Sequence, residues 1–200
     1  MKLTLKPKYF ITAIITHIII ISFLIFIDFK RGFYGFISSP KINDFQMFDL
    51  KGNLFNRKNL QKKYYFITFG YLQCPDICPM QMKKISKIAE IINDPEIGFI
   101  YVTIDPKRDK AEKLSSYLSG RDSRIIGLRN DNPGELENFS NNFKVQYSKE
   151  IFPNNEKTYK IHHSNFIVLT HKTLNKIIIY PDGLEEYSKI KSDLALFKKL

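Results

Sequence analysis

Both cysteines of this 200-residue chain stand in one short stretch, GYLQCPDICPMQM, as Cys74 and Cys78, and each is followed directly by a proline. Two thiols this close, in a chain with no others, read as a working dithiol rather than as two space-filling core residues. Three residues separate them, which sets the sulfurs one helical turn apart on the same side of a helix start. That spacing serves a shared metal ion as well as it serves a disulfide. Pro79 fits the first helical position, where a missing N–H costs nothing. Cys78 is therefore expected near the positive end of a helix dipole, with its thiol pKa lowered. Asp76, between the sulfurs, acts in the opposite direction.

A metal held by two thiolates wants a further soft or borderline ligand. Beyond the N-terminal region the histidines are His162, His163 and His171, and the first two lie together in IHHSNFIVLT. Met80 and Met82 offer soft atoms near the cysteines; Met82 reads as core packing and Met80 as a loop contact. His171 reads as an exposed turn residue.

The elements that must position these groups follow from hydrophobic periodicity. Two short strands flank the turn Lys51-Gly52-Asn53, and the apolar run Tyr64 to Phe69 reads as a buried strand leading into the cysteine loop. A helix from Pro79 to Ile92 follows, ended by Asn93-Asp94-Pro95. Next come a strand from Ile97 to Ile104, a helix from Lys110 to Ser119, a strand from Arg124 to Leu128, and a helix from Pro133 to Phe143 capped by Asp131 and Asn132. Strands from Asn165 to Thr170 and Lys176 to Tyr180, and a helix from Leu184 to Lys199, complete the chain. In VTIDPKRD, Asp105 and Asp109 read as structural, with Asp109 capping the next helix. The pattern is α/β with a mixed sheet, and a dithiol after the first core strand at a helix start is the thioredoxin arrangement. In such a sheet the segment entering the third core strand, here IHHSNFIVLT, passes beside the cysteine loop.

Ahead of this domain, residues 10–27 form the uncharged run FITAIITHIIIISFLIFI. As a helix it spans about 27 Å, close to the roughly 30 Å hydrocarbon core of a bilayer. No small-x-small cleavage site follows, so it reads as an uncleaved anchor. His17, with no second ionisable group in the span, reads as neutral. Lys2, Lys6 and Lys8 before the span, against Lys30 and Arg31 after it, place the N-terminus in the cytoplasm and the domain outside. The expected organisation is residues 1–9 cytoplasmic, 10–27 transmembrane, 28–41 linker and 42–200 the folded domain. The net charge of +11 has no basic block and no zinc-finger or RNA-binding signature behind it, so nucleic acid is not an expected partner.

Three motifs in order, TFGYLQCPDICP, VTIDPKRD and YKIHHSNFIVLT followed by a strand and PDG, resemble the Sco/SenC family of copper chaperones. The resemblance covers nearly all of the chain beyond Ile42. It implies a thioredoxin-like mixed sheet flanked by helices, elaborated by an N-terminal β-hairpin and preceded by one transmembrane helix. It implies one copper ion, Cu(I) or Cu(II), bound by Cys74, Cys78 and His163 and delivered to the CuA site of cytochrome c oxidase. His163 matches the family ligand because Ser164 follows it, and His162 stands where the family carries an aspartate. Two thiolates and an imidazole suit Cu(I), whereas zinc usually wants a fourth ligand. Expected partners are the oxidase subunit carrying CuA, a copper donor and a thiol reductant. The expected location is a bacterial inner membrane facing the periplasm, or a mitochondrial inner membrane facing the intermembrane space. The alternative is a thiol-disulfide oxidoreductase that reduces the CuA cysteines or senses redox state, with Cys74 and Cys78 as its redox pair.

Overall fold

The computed structural model describes residues 14–23, 32–74, 77–152 and 155–200. The chain divides into two units, Met1–Tyr34 and Gly35–Leu200. In the first, residues 14–23 are helical and exposed. Among the described residues no helix is long and apolar enough to cross a membrane. The rest of the expected span, and the lysines expected to orient it, lie outside the described residues.

The second unit runs β1 (Phe36–Ser38), β2 (Met47–Asp49), β3 (Leu54–Phe55), β4 (Tyr64–Gly70), α1 (Ile77–Ile91), β5 (Ile97–Thr103), α2 (Ala111–Ser119) and β6 (Ile125–Arg129). It continues through α3 (Pro133–Asn142), β7 (Tyr147–Phe152), β8 (Asn155–His163), β9 (Phe166–His171), β10 (Ile177–Pro181) and α4 (Tyr187–Phe197). Eight strands form one sheet in the order β1-β10-β9-β4-β5-β6-β2-β3, and β7 and β8 form a separate hairpin. The pairs β4–β5 and β5–β6 are parallel and β9 joins β4 antiparallel, so the sheet is mixed.

Every residue of β4 and β5 is buried. Their unbroken apolar runs, YYFITFG and IGFIYVT, suit strands covered on both faces. On one face Ile67, Phe69, Ile100 and Val102 pack with Phe139 and Phe143 from the α3 region. On the other, Tyr101 packs with Met82 of α1 and with Leu114 and Leu118 of α2. Full burial of each such aliphatic or Phe side chain contributes about 1.5–3 kcal/mol, so the two layers clamp the strands whose C-terminal ends carry the dithiol.

The expected β2–β3 hairpin is present, its turn made possible by Gly52 at φ 84°. Three features depart from expectation. First, α1 begins at Ile77, so Pro79 is not its first residue; first-turn N–H groups lack intrahelical acceptors, and proline fits there as well. Second, the segment expected as linker holds edge strand β1, with Phe36 opposite Ile179 and Ser38 opposite Ile177. It is tied down where the buried Asp193 carboxylate accepts the Gly35 amide at 2.9 Å. Third, the β7–β8 hairpin has no counterpart in the hydrophobic pattern, because β7 is exposed along nearly its whole length and shows no alternation.

Candidate metal centre

Cys74 closes the turn that follows β4, its amide donating to the Tyr71 carbonyl at 3.2 Å. Cys78 lies in the first turn of α1, and its amide donates to the Cys74 sulfur at 3.3 Å. The first cysteine thus accepts one of the N–H groups that a helix start leaves without a partner. Pro75 and Asp76, between the thiols, lie outside the described residues. His163 ends β8 and arrives from a segment distant in sequence, with its Nε2 3.5 Å from Cys78 Sγ. The two sulfurs and an imidazole nitrogen of His163 all lie within 4.8 Å of one another.

The tautomer of His163 follows from its neighbours. Nδ1 stands 2.9 Å from the Ser164 carbonyl, which only accepts, so Nδ1 carries the proton and Nε2 turns a lone pair toward Cys78. Burial lowers the His163 pKa and keeps the ring neutral, the form that ligates metals. The Tyr71 ring meets the imidazole edge-on, with centroids 6.2 Å apart. Cys74 is 9% exposed and Cys78 2%. Burial pushes the Cys78 thiol well up, and the Cys74 contact adds to it. This corrects the expectation of a lowered thiol pKa: desolvation outweighs the helix dipole, whose effect is only a fraction of a kcal/mol to about 2 kcal/mol. A pair of thiols and one neutral imidazole, converging in a largely buried spot, is a donor set that fits a soft monovalent ion.

The other expected residues separate cleanly. His162 points away from the dithiol and bonds Glu150 Oε2 at 2.7 Å on the exposed face of the hairpin, as alternation along a strand requires. Met82 is buried in the core and Met80 is 46% exposed. His171 ends β9, at the opposite end of that strand from His163, and its ring meets Tyr64 at 5.2 Å.

Asp109 does not cap α2. Lys110 occupies the N-cap position without a side-chain bond. The Asp109 carboxylate is instead buried, accepting the Thr103 hydroxyl at 2.6 Å and the Leu72 amide at 3.0 Å, so it binds the cysteine loop to the end of β5. Burial raises its pKa.

Sequence reasoning missed a second tie. Asp105 pairs with Arg108 and accepts the Tyr159 hydroxyl at 2.7 Å. The Arg108 guanidinium lies 3.7 Å from the Tyr159 ring centroid and donates to the Tyr159 carbonyl at 2.9 Å. VTIDPKRD therefore holds both halves of the centre, the cysteine loop through Asp109 and the histidine strand through Asp105 and Arg108. The signal was two acids and an arginine within one short motif, but their partners are distant in sequence. In the PDG turn, Asp182 pairs with the largely buried Lys84 of α1. A groove of ≈ 840 Å³ opens beside His163, between Glu137 and Asn141 of α3 and the base of the hairpin.

Residues 38–195 match the SCO1/SenC family model. A SCO2-like protein of Rickettsia prowazekii is 35% identical over 130 residues, which are 64% of this chain and 63% of that protein. Protein sco1 of Schizosaccharomyces pombe is 32% identical over 139 residues, 66% of this chain and 52% of that protein. The matched regions thus span about six tenths and about half of these relatives' own lengths. Among solved structures, yeast Sco1 with copper bound superposes with a TM-score of 0.68 at 26% identity, covering 79% of this chain and 88% of that one. Bradyrhizobium japonicum ScoI with copper bound gives 0.66 at 25% identity, covering 82% and 100%. With a thioredoxin-like α/β domain, the motif order and a family match over most of its length, this chain belongs to the SCO1/SenC family.

Proposed function

We propose that this protein is a membrane-anchored copper metallochaperone that holds one copper ion on Cys74, Cys78 and His163 and delivers it to the CuA site of cytochrome c oxidase. The observation that carries the reading is the convergence of two sulfurs and an imidazole nitrogen within 4.8 Å. The copper-bound yeast and Bradyrhizobium proteins, similar in fold and sequence, support copper as the cargo. Each residue has a distinct part. The two thiols give up protons to become thiolates, His163 supplies a lone pair from a ring already neutral and oriented, and Tyr71 packs against that ring. Release proceeds by ligand exchange, with thiolates of the receiving subunit displacing Cys74 and Cys78 in turn. The groove beside His163 provides an approach for the receiving subunit. In this reading residues 10–27 anchor the chain in a bacterial inner membrane, or its mitochondrial counterpart, with the domain facing the outer compartment.

A second reading rests on the same two sulfurs, which are both free thiols and close neighbours. Such a pair can reduce a target disulfide, and Cys74, the more exposed, would attack first. Replacement of His163 by alanine separates the two. The reduced full-length protein in detergent, given Cu(I) anaerobically, is expected to retain one copper after desalting. His163→Ala is expected to lose it while both thiols still react with a disulfide reagent. A reduced wild type that retains no copper sinks the chaperone reading, and His163→Ala with unchanged uptake removes the histidine from the site.

A further inference from the structure

Among the described residues, one polar group beside the dithiol lacks a partner. Tyr101, on β5, is 1% exposed, its ring held among Met82, Leu114 and Leu118, and among the described residues its buried hydroxyl has no hydrogen-bond partner. Such a hydroxyl is costly and uncommon enough to require a reason. It faces Gly70, and so does the second thiol. A Cβ on Gly70 would lie 2.9 Å from the Tyr101 oxygen and 3.0 Å from Cys78 Sγ. Because position 70 has no side chain, both atoms border the same small space beside its Cα.

The other atoms nearby are already engaged. Cys74 Sγ receives the Cys78 amide. The Asp109 carboxylate receives Leu72 and Thr103. Cys78 Sγ has His163 Nε2 at 3.5 Å. A neutral thiol accepts hydrogen bonds weakly, whereas a thiolate accepts them strongly. The Tyr101 hydroxyl therefore has little to gain from a neutral thiol and much from a sulfur that ligates a metal as thiolate.

We propose that Tyr101 is a positioning residue for the dithiol, its hydroxyl donating to Cys78 Sγ when that sulfur is a metal-bound thiolate. The inference rests on the copper-site reading above. Hydrogen bonds to a ligating sulfur tune both affinity and electronic character, so Tyr101 sets how firmly Cys78 retains its metal.

Tyr101→Phe in the full-length protein tests this, since it removes one oxygen and leaves the ring packing. Without copper, the variant is expected to melt no lower than wild type, because an unpaired buried hydroxyl has been removed. With Cu(I), competition against a chelator is expected to show about tenfold weaker binding. With Cu(II), the sulfur-to-copper charge-transfer band is expected to move to lower energy. A residue that served packing alone would lower stability in both states and leave the band in place. Wild type binding one copper, with affinity and band unchanged in Tyr101→Phe, overturns the assignment while the copper site stands. A wild type that binds no copper overturns the copper-site reading and this inference together.

Discussion

Replacing Asp109 by alanine removes the acceptor that fixes the cysteine loop to the end of β5. The carboxylate takes the Thr103 hydroxyl at 2.6 Å and the Leu72 amide at 3.0 Å. Hydrogen bonds to a charged group contribute about 1.5–3 kcal/mol each, so the gross loss is about 3–6 kcal/mol. Part of that is returned, because the burial that raises the Asp109 pKa disfavours its charged form in the folded state. A net loss of about 2–4 kcal/mol follows. Asparagine is the control. Its Oδ1 accepts Leu72 and its Nδ2 donates to the Thr103 oxygen, so Asp109→Asn is expected to lose no more than about 1 kcal/mol. The two variants also differ from wild type in pH dependence. The folded state holds the Asp109 proton more tightly than the unfolded chain, whose value is near 3.8. The Asp109 contribution to stability is therefore fully present below that value and declines as pH rises through the raised folded value. Asparagine does not titrate, so wild type gains on Asp109→Asn as pH is lowered. Urea unfolding of the copper-free protein in detergent, at neutral pH and in a mildly acidic series, measures both effects. The reasoning fails if Asp109→Ala lies within about 0.5 kcal/mol of wild type, or if asparagine is as damaging as alanine. A wild-type advantage independent of pH would refute the protonation argument alone.

Gly70→Ala would place a methyl group 2.9 Å from the Tyr101 oxygen, closer than real Cβ contacts, and 3.0 Å from Cys78 Sγ, tighter than nearly all of them. Overpacking of this kind costs about 1–3 kcal/mol, so thermal unfolding is expected to move down together with copper uptake; unchanged values would show that the site yields easily. Copper uptake is also expected to release protons. Burial keeps the Cys78 thiol protonated at neutral pH, whereas His163 is already neutral, so binding expels at least one proton and affinity rises with pH through the neutral range. Calorimetry in buffers of different ionisation heat counts those protons, and a count of zero would contradict the buried-thiol picture.

The sheet was legible because its central strands are unusually plain. YYFITFG and IGFIYVT are continuous apolar runs, and their helices carry clear stops such as Asn93-Asp94-Pro95 and Gly120. Cys74 and Cys78 were legible because their pairing is local. His163 came from resemblance to a motif, and the physical reason for choosing it over His162 appears only with strand alternation, which turns the two rings to opposite sides. The hairpin carrying them was invisible because β7 is held by backbone pairing and a few anchors, not by a periodic buried face. Asp109 was misread since Asp ahead of a helix is the pattern of a cap; its true partners, Leu72 and Thr103, are brought beside it by the sheet. Tyr159, like Arg108, shows its part only through a contact between segments far apart in the chain.

The centre joins atoms of very unequal separation along the chain. Cys78 and His163 are 85 residues apart, whereas the two thiols are 4 apart. Closing the short loop needs only a local turn, whereas seating the histidine also requires β5, β6, α3 and the hairpin to be in place, at a greater closure entropy. A chain in which only the local turn has formed presents two thiols without the third donor. Three-coordinate metal retention becomes a property of the finished fold, so the protein carries in its donor set a check on its own folding.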